Sequence, residues 1–419
     1  MNKLSTRAHN LPRFEFIALM AALMGLNALA IDVMLPALPY LGEALNVLYE
    51  NDRSLVVTFY MIGFGVTQII FGPLSDRFGR RTPLLIGLVI YIIAAFAAIL
   101  APTFGTLLFL RLVQGMGAAG TRVIVLAVVR DCYSGRAMAE IMSLVFMVFM
   151  IMPIIAPAVG QVLLLTGPWQ AIFLFMGGLG CVISFWALMR LPETLALDKR
   201  RPLKLSVILE GFAIVCRNRM AMGYAMAGTF IFGIIMGFVN TAQQIYVGIY
   251  ELGALFPLAF GATALLQAVA SFLNAQVVGR FGMRRIAHTA VLIFLVNSLI
   301  WWATTVILGK LSFPVLYAFM GLNLFLFSWI ATNANSLSME PLGAVAGTAS
   351  GLFGSFQTIL GAGLGYGISQ MFDGTVTPVA AGFALMALGT LVCMLFAEKG
   401  KLFGTGEEQD EIPNKTANS

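Results

Sequence analysis

Three charged residues stand where charge is expensive. Asp32 lies in "LNALAIDVMLPALP" (Leu26 to Pro39), inside an apolar run that begins near Phe14. Arg111 and Arg122 interrupt a second such run, "LLFLRLVQGMGAAGTRVIVLAVV" from Leu107. A charge at the middle of a bilayer costs roughly 3 kcal/mol on insertion scales, and more in simulations, so it needs a partner or a wet cavity. Burial disfavours an ionised carboxylate and a nearby guanidinium favours it, and a carboxyl poised between the two can exchange protons. Every other Asp or Glu falls in a loop, a tail or a terminal turn, which leaves Asp32 as the one deep acid. Asp32 lies about eight residues from the outer end of its run and Arg111 about seven from the outer end of its own. At 1.5 Å per residue both sit roughly 10–12 Å below the same surface. Opposite charges at equal depth can pair, so the expectation is an Asp32–Arg111 pair that protonation loosens. Arg122 follows eleven residues later, on about the same face and roughly 16 Å further in. A fixed structural ion pair, with Arg122 reaching the headgroups, would use the same residues.

The elements that position these groups follow from composition. Of 419 residues, 59% are hydrophobic and 11% charged, and mean hydropathy is +0.91. A soluble domain is about a quarter charged, so lipid is the solvent for most of this chain. The net charge of +6 gives no reason to expect nucleic acid. Cys132, Cys181, Cys216 and Cys393 have no paired spacing, and His9 and His288 are the only histidines, so no metal site and no cofactor are expected. No phosphate loop or nucleophile triad is present, and an enzyme is not expected. The first apolar run is too long for a signal core and lacks a cleavage site, so it reads as a retained helix.

Twelve segments reach the length of about 20 apolar residues that a spanning helix needs: 14–40, 54–74, 83–101, 104–129, 139–165, 169–191, 222–249, 256–279, 286–309, 313–334, 344–370 and 377–397. Helices are favoured over strands because lipid leaves no partner for unpaired backbone. With the N-terminus in the cytoplasm, 21 of the 25 Lys and Arg fall on the side that holds both termini. Arg53 and Lys310 fall opposite. Positive residues stay on the cytoplasmic side, so the expected topology is multi-pass in a bacterial inner membrane, with both ends cytoplasmic. The expected organisation is a six-helix bundle over 1–191, a cytoplasmic connection over 192–221 with an amphipathic stretch Leu203 to Val215, a second bundle over 222–401, and a disordered tail over 402–419. The halves repeat: Arg77-Phe78-Gly79 aligns with Arg280-Phe281-Gly282 at an offset of 203. Similar six-helix halves are the signature of transporters that rock about a central site.

Several motifs carry a resemblance. "GPLSDRFGRR" (Gly72 to Arg81) follows the second helix, and "LLFLRLVQGMGAAG" fills the fourth with Arg111, Gln114, Gly115, Gly117, Ala118 and Ala119 in register. On these residues the chain resembles the major facilitator superfamily over nearly its whole length. "AIDVMLPALP", "TRVIVLAVVRD", "LPET" and "VAGTASGLFG" look like the bicyclomycin/chloramphenicol-resistance drug exporters of that superfamily. The fifth helix, "MPIIAPAVGQ", keeps Pro157 and Gly160, with Pro153 beside them, but departs from the antiporter pattern at Met152, Ala156 and Gln161.

The resemblance implies an all-α membrane protein of twelve transmembrane helices in two pseudo-symmetric bundles. It implies export of small, neutral or weakly charged amphipathic drugs in exchange for protons, functional as a monomer among membrane lipids. The degenerate fifth helix keeps a metabolite facilitator or symporter open. Asp32 and Arg111 would couple protons, and Asn27, Gln114, Arg122, Asn240, Gln243 and Gln244 would face the cavity. Gly72, Asp76, Arg77, Gly79, Arg80 and Arg130 would form a cytoplasmic latch. Physically, Gly72 permits close helix approach and Asp76 can face a helix N-terminus or an arginine.

Overall fold

In the computed structural model, residues 11–200 and 213–404 are described. The amphipathic stretch expected from Leu203 lies mostly outside them, as does nearly all of the tail expected from Leu402. Among the described residues the chain is helical without strands. Twelve long helices follow in order: α1 Arg13–Ala44, α2 Glu50–Phe78, α3 Arg81–Ile99, α4 Phe104–Cys132, α5 Gly135–Thr166, α6 Gln170–Arg190, α7 Arg219–Ile249, α8 Gly253–Phe281, α9 Met283–Leu308, α10 Phe313–Leu342, α11 Ala346–Gln370 and α12 Thr377–Ala397.

Several helices run a turn beyond their apolar cores. α2 continues through Pro73 and the polar "SDRF" to Phe78, because its backbone ladder extends past the residues that favour hydrocarbon. Eleven of the twelve are long and apolar enough to cross a membrane. The other, α11, is rich in Gly and Ser. Two of its glycines face α7: a Cβ on Gly361 would lie 2.6 Å from the Phe232 ring, and one on Gly365 would collide with Met236. Such small residues let helices approach where lipid provides no hydrophobic drive between them.

Within the first half, α4 packs on α2 and α3, and α1 on α5; within the second, α7 packs on α10, α11 and α12, and α9 on α10 and α12. The halves meet chiefly where α2 packs on α11 and α5 on α8, with a smaller contact between the Leu35–Ala37 turn of α1 and α7. The sequence repeat reappears as geometry. Gly79 ends α2 at φ +95° and Gly282 ends α8 at φ +79°, and each is followed closely by a new helix. A left-handed φ is cheap only for glycine, which explains why both copies keep it. The α2–α4 seam is tighter still: a Cβ on Gly63 would collide with the Leu112 carbonyl, and one on Gly115 with that of Tyr60.

Candidate coupling site and transport pathway

Asp32 is the last residue of the α-helical part of α1. The Val33 amide still bonds back to the Leu29 carbonyl at 3.0 Å. A 3-10 turn, Leu35–Ala37, carries Pro36 and starts a short outer helix, Leu38–Ala44. Proline lacks an N–H and cannot continue the ladder, so the helix breaks just beyond the aspartate. α5 is fitted to this break. Gly160 lies against the Val33 carbonyl and Pro36, where a Cβ could not fit, and Pro153 and Pro157 are inside the same helix. The Asp32 side chain is 6% exposed and makes no hydrogen bond or ion pair with any described residue. The other acid buried to this degree, Glu398 at 7%, is bound by Arg284 at 3.0 Å and Tyr224 at 2.7 Å.

The ion pair expected between Asp32 and Arg111 is not formed. Arg111 is fully buried, and its guanidinium donates to the Val56 carbonyl of α2 at 3.1 Å, the Ala30 carbonyl of α1 at 3.0 Å and Gln114 Oε1 at 2.8 Å. It also lies 4.4 Å from the Tyr60 ring centre. Depth along the helix was the right inference and azimuth the missing one. Arg111 meets α1 at Ala30, and two residues turn a helix by about 200°, which carries the Asp32 side chain away. Gln114, expected on the cavity wall, is fully buried against Arg111 instead. Asn27 is held by the Tyr60 hydroxyl at 2.8 Å.

Arg122 differs from Arg111. It is exposed. It makes no hydrogen bond or ion pair with any described residue.

The loop between α2 and α3 is a closed electrostatic knot. Arg80 is 3% exposed and donates to Asp76 at 2.6 Å, Asp131 at 2.8 Å and Ser75 at 2.9 Å. Glu193 accepts the backbone N–H groups of Arg80 at 2.8 Å and Arg81 at 3.2 Å, and its carboxylate occupies the space a Cβ on Gly79 would need. Burial pulls the Arg80 pKa down, but the carboxylates of Asp131 and Asp76 outweigh it and leave it raised, so this guanidinium keeps its charge. Asp76 therefore meets an arginine, not a helix end. Arg77 and Arg130 are exposed and outside the knot. Asp131 and Glu193 were missed as members, although both lie in strings that carry the resemblance, "AVVRD" and "LPET". Gly72 has open space where a Cβ would go, so no close approach is made there in this conformation.

At the end away from the termini the halves are joined. Asn51 donates to the Phe372 carbonyl at 2.9 Å and accepts from Gln244 at 2.8 Å, and Ser54 meets Ser369 at 3.0 Å. Nearer the middle, Gln68 reaches Thr358 at 3.2 Å. At the termini end, every ion pair among the described residues stays within one half. Asn240, Gln243 and Gln244 come together on the wall of one cavity at the joined end. The other second-half polar groups bind helices to one another: Asn333 to Asn274 at 2.8 Å, Asn297 to Asn323 at 2.8 Å, and Gln357 to the Gly228 carbonyl at 3.0 Å.

Two six-helix halves, hydrogen-bonded to each other at one end and, among the described residues, sharing no ion pair at the other, suit alternating access. A sequence model of the Major Facilitator Superfamily matches residues 20–366. The chain belongs to that superfamily. As a superfamily member it is a transporter by fold and not an enzyme. It is 29% identical over 371 residues to the "Bicyclomycin resistance protein homolog" of Haemophilus influenzae, covering 87% of this chain and 92% of that one. It is 27% identical to "Multidrug resistance protein D" of Escherichia coli, covering 91% and 94%. Its fold is shared with the human organic anion transporter MFSD10 (TETRAN), at a TM-score of 0.68 and 18% identity over 93% of this chain and all of that one.

Proposed function

We propose that this protein exports small, neutral or weakly charged amphipathic drugs across the bacterial inner membrane in exchange for protons. The names of its relatives support drug efflux, and the state of Asp32 supports the proton. This carboxyl is deep in a span, at a helix break, open to a narrow degree, and unpaired. A carboxyl without a fixed cation can gain and lose a proton without first breaking a bond. Gly160 of α5 packs on the break itself, so a change of charge at Asp32 can be felt by α5, which touches the second half through α8. Arg111 belongs to this scheme as a positioning residue: it grips the α1 backbone two residues before Asp32.

The placement of Lys and Arg supports cytoplasmic termini. With that orientation the bonds between the halves lie at the outer end, and the cytoplasmic end would be the one that loads cargo for export. Arg111 is fully buried, so Asp32 and Arg122 would be the opposed charges that cargo meets, balanced when Asp32 is ionised. That suits neutral or weakly anionic cargo better than dications. The protein would act as a monomer among lipids, the two halves supplying the whole pathway.

The test is a drug-susceptibility panel in an efflux-deficient host, with phenicols and dicationic dyes, repeated as accumulation measurements with and without an uncoupler. Export should lower phenicol accumulation and vanish with the uncoupler. Uncoupler-insensitive flux would indicate a facilitator, and resistance confined to dications would refute the cargo class.

A further inference from the structure

The cavity at the joined end of the molecule holds about 340 Å³, within the range of small-molecule sites. It is built from both halves: α1 and α2 give Leu38 and Arg53, and α7 gives Asn240, Gln244 and Val247. We propose that it is a second binding site, on the exit side, for a neutral solute that presents a primary amide or lactam, with an N–H and a C=O side by side. Asn240 is the observation that carries this. Its side chain is 4% exposed, and both its Nδ2 and its Oδ1 are buried without a hydrogen-bond partner. No other asparagine among the described residues has a buried side-chain atom in that condition. Asn51, at the rim, spends both its donor and its acceptor.

Buried polar groups are nearly always satisfied, and an orphaned one costs about as much as a lost hydrogen bond. A carboxamide with donor and acceptor both unmet is complementary to another amide that offers the same two groups in reverse. Gln244 adds to the pattern. Its Nε2 is used on Asn51, but its Oε1 is buried and unpartnered, leaving an acceptor for a second N–H. The backbone here is irregular as well. α7 leaves its α-helical ladder at Gln244 and ends in a π-helical turn, Gln244–Ile249, whose residues form part of the wall. Such turns concentrate at functional sites. The formal charges of the wall offset one another, since Arg53 lies 3.5 Å from Glu50, and the remainder is apolar or amide apart from Ser54, whose hydroxyl is spent on the Asn51 carbonyl and Ser369, which favours a neutral ligand.

This inference rests on the proposed export only for its position on the exit path; binding itself is tested without transport. The full-length protein in lipid nanodiscs is titrated calorimetrically with biphenyl-4-carboxamide and with its N,N-dimethyl derivative, against empty nanodiscs. The two probes share an apolar body and differ in the amide donor. The unaltered protein should bind the carboxamide at least tenfold tighter. Asn240→Leu should bring the two within about twofold of each other while melting no lower than the parent, because it removes two unsatisfied atoms. Val247→Trp, which fills the cavity from its apolar wall, should weaken both probes. Equal binding of the two probes by the unaltered protein, no binding of either, or discrimination that survives Asn240→Leu would overturn the assignment. Failure of drug export in cells leaves these readings unchanged, and so separates the two proposals.

Discussion

Arg111→Lys separates a clamp from a proton relay. Arg111 makes three charged hydrogen bonds, to Val56 on α2, Ala30 on α1 and Gln114 on α4 itself. Lysine keeps the charge but offers one compact ammonium on a flexible stem in place of a planar fork. It cannot span two helices and hold Gln114, so about two of the three bonds are lost. A hydrogen bond to a charged group contributes about 1.5–3 kcal/mol, and stacking on the Tyr60 ring adds about 1–2 kcal/mol when desolvated. The expected loss is about 4–8 kcal/mol, with the buried charge still to be solvated. The assay is thermal melting of the purified protein, followed by proton-driven transport in vesicles held well below the lowered midpoint. The variant should melt far below the parent yet keep the pH dependence of its transport, because Arg111 holds α1 and does not pair with Asp32. A variant that melts with the parent, or one that is folded but has lost proton dependence, refutes this reasoning and places Arg111 in the coupling step.

Gly63→Ala should lower stability by about 1–3 kcal/mol, the usual range for overpacking, because the new methyl meets the Leu112 backbone and cannot be accommodated by a rotamer change; folded yield and melting temperature report it. Gly72→Ala should melt within about 0.5 kcal/mol of the parent, since nothing occupies the space, yet slow transport if the opposite access state brings another helix there; normal transport would remove Gly72 from the latch. Asn51→Ala breaks the bonds to Phe372, Gln370 and Gln244. At a net value of about 1 kcal/mol each it should shift the population toward the state open at that end by roughly 150-fold, read as longer distances between spin labels at Leu48 and Thr375.

The twelve helices were legible because each apolar run is long enough to span and ends in charged or turn-forming residues. α11 was legible too despite its glycines, from the length of its own run, and an even helix count agreed with the expectation of both termini on one side. The Gly79 and Gly282 turns followed from the repeat, since a positive φ is a requirement that sequence can encode in one residue. Depth was also legible, and Asp32 and Arg111 do sit in neighbouring helices of one half. What sequence did not reveal was direction around the helix. Ala30 faces Arg111 and Asp32 does not, a distinction of two residues that depends on how α1 and α4 are rotated against each other. Long-range partners were hidden for the same reason: Glu193 lies 113 residues from the amide of Arg80 that it accepts, and no local pattern connects them. The exit-side cavity required the rims of both halves to be placed together, and only then did Asn240 stand out from the other buried amides.

The most direct test of the account is proton-driven drug exchange in proteoliposomes with Asp32→Asn, compared with energy-independent counterflow of the same drug by the same preparation. The variant should retain counterflow, since asparagine preserves shape and polarity at the helix break, and should lose the acceleration that an imposed pH gradient gives the unaltered protein. If a pH gradient drives the variant as strongly as the parent, the proton travels by another group and the central claim fails.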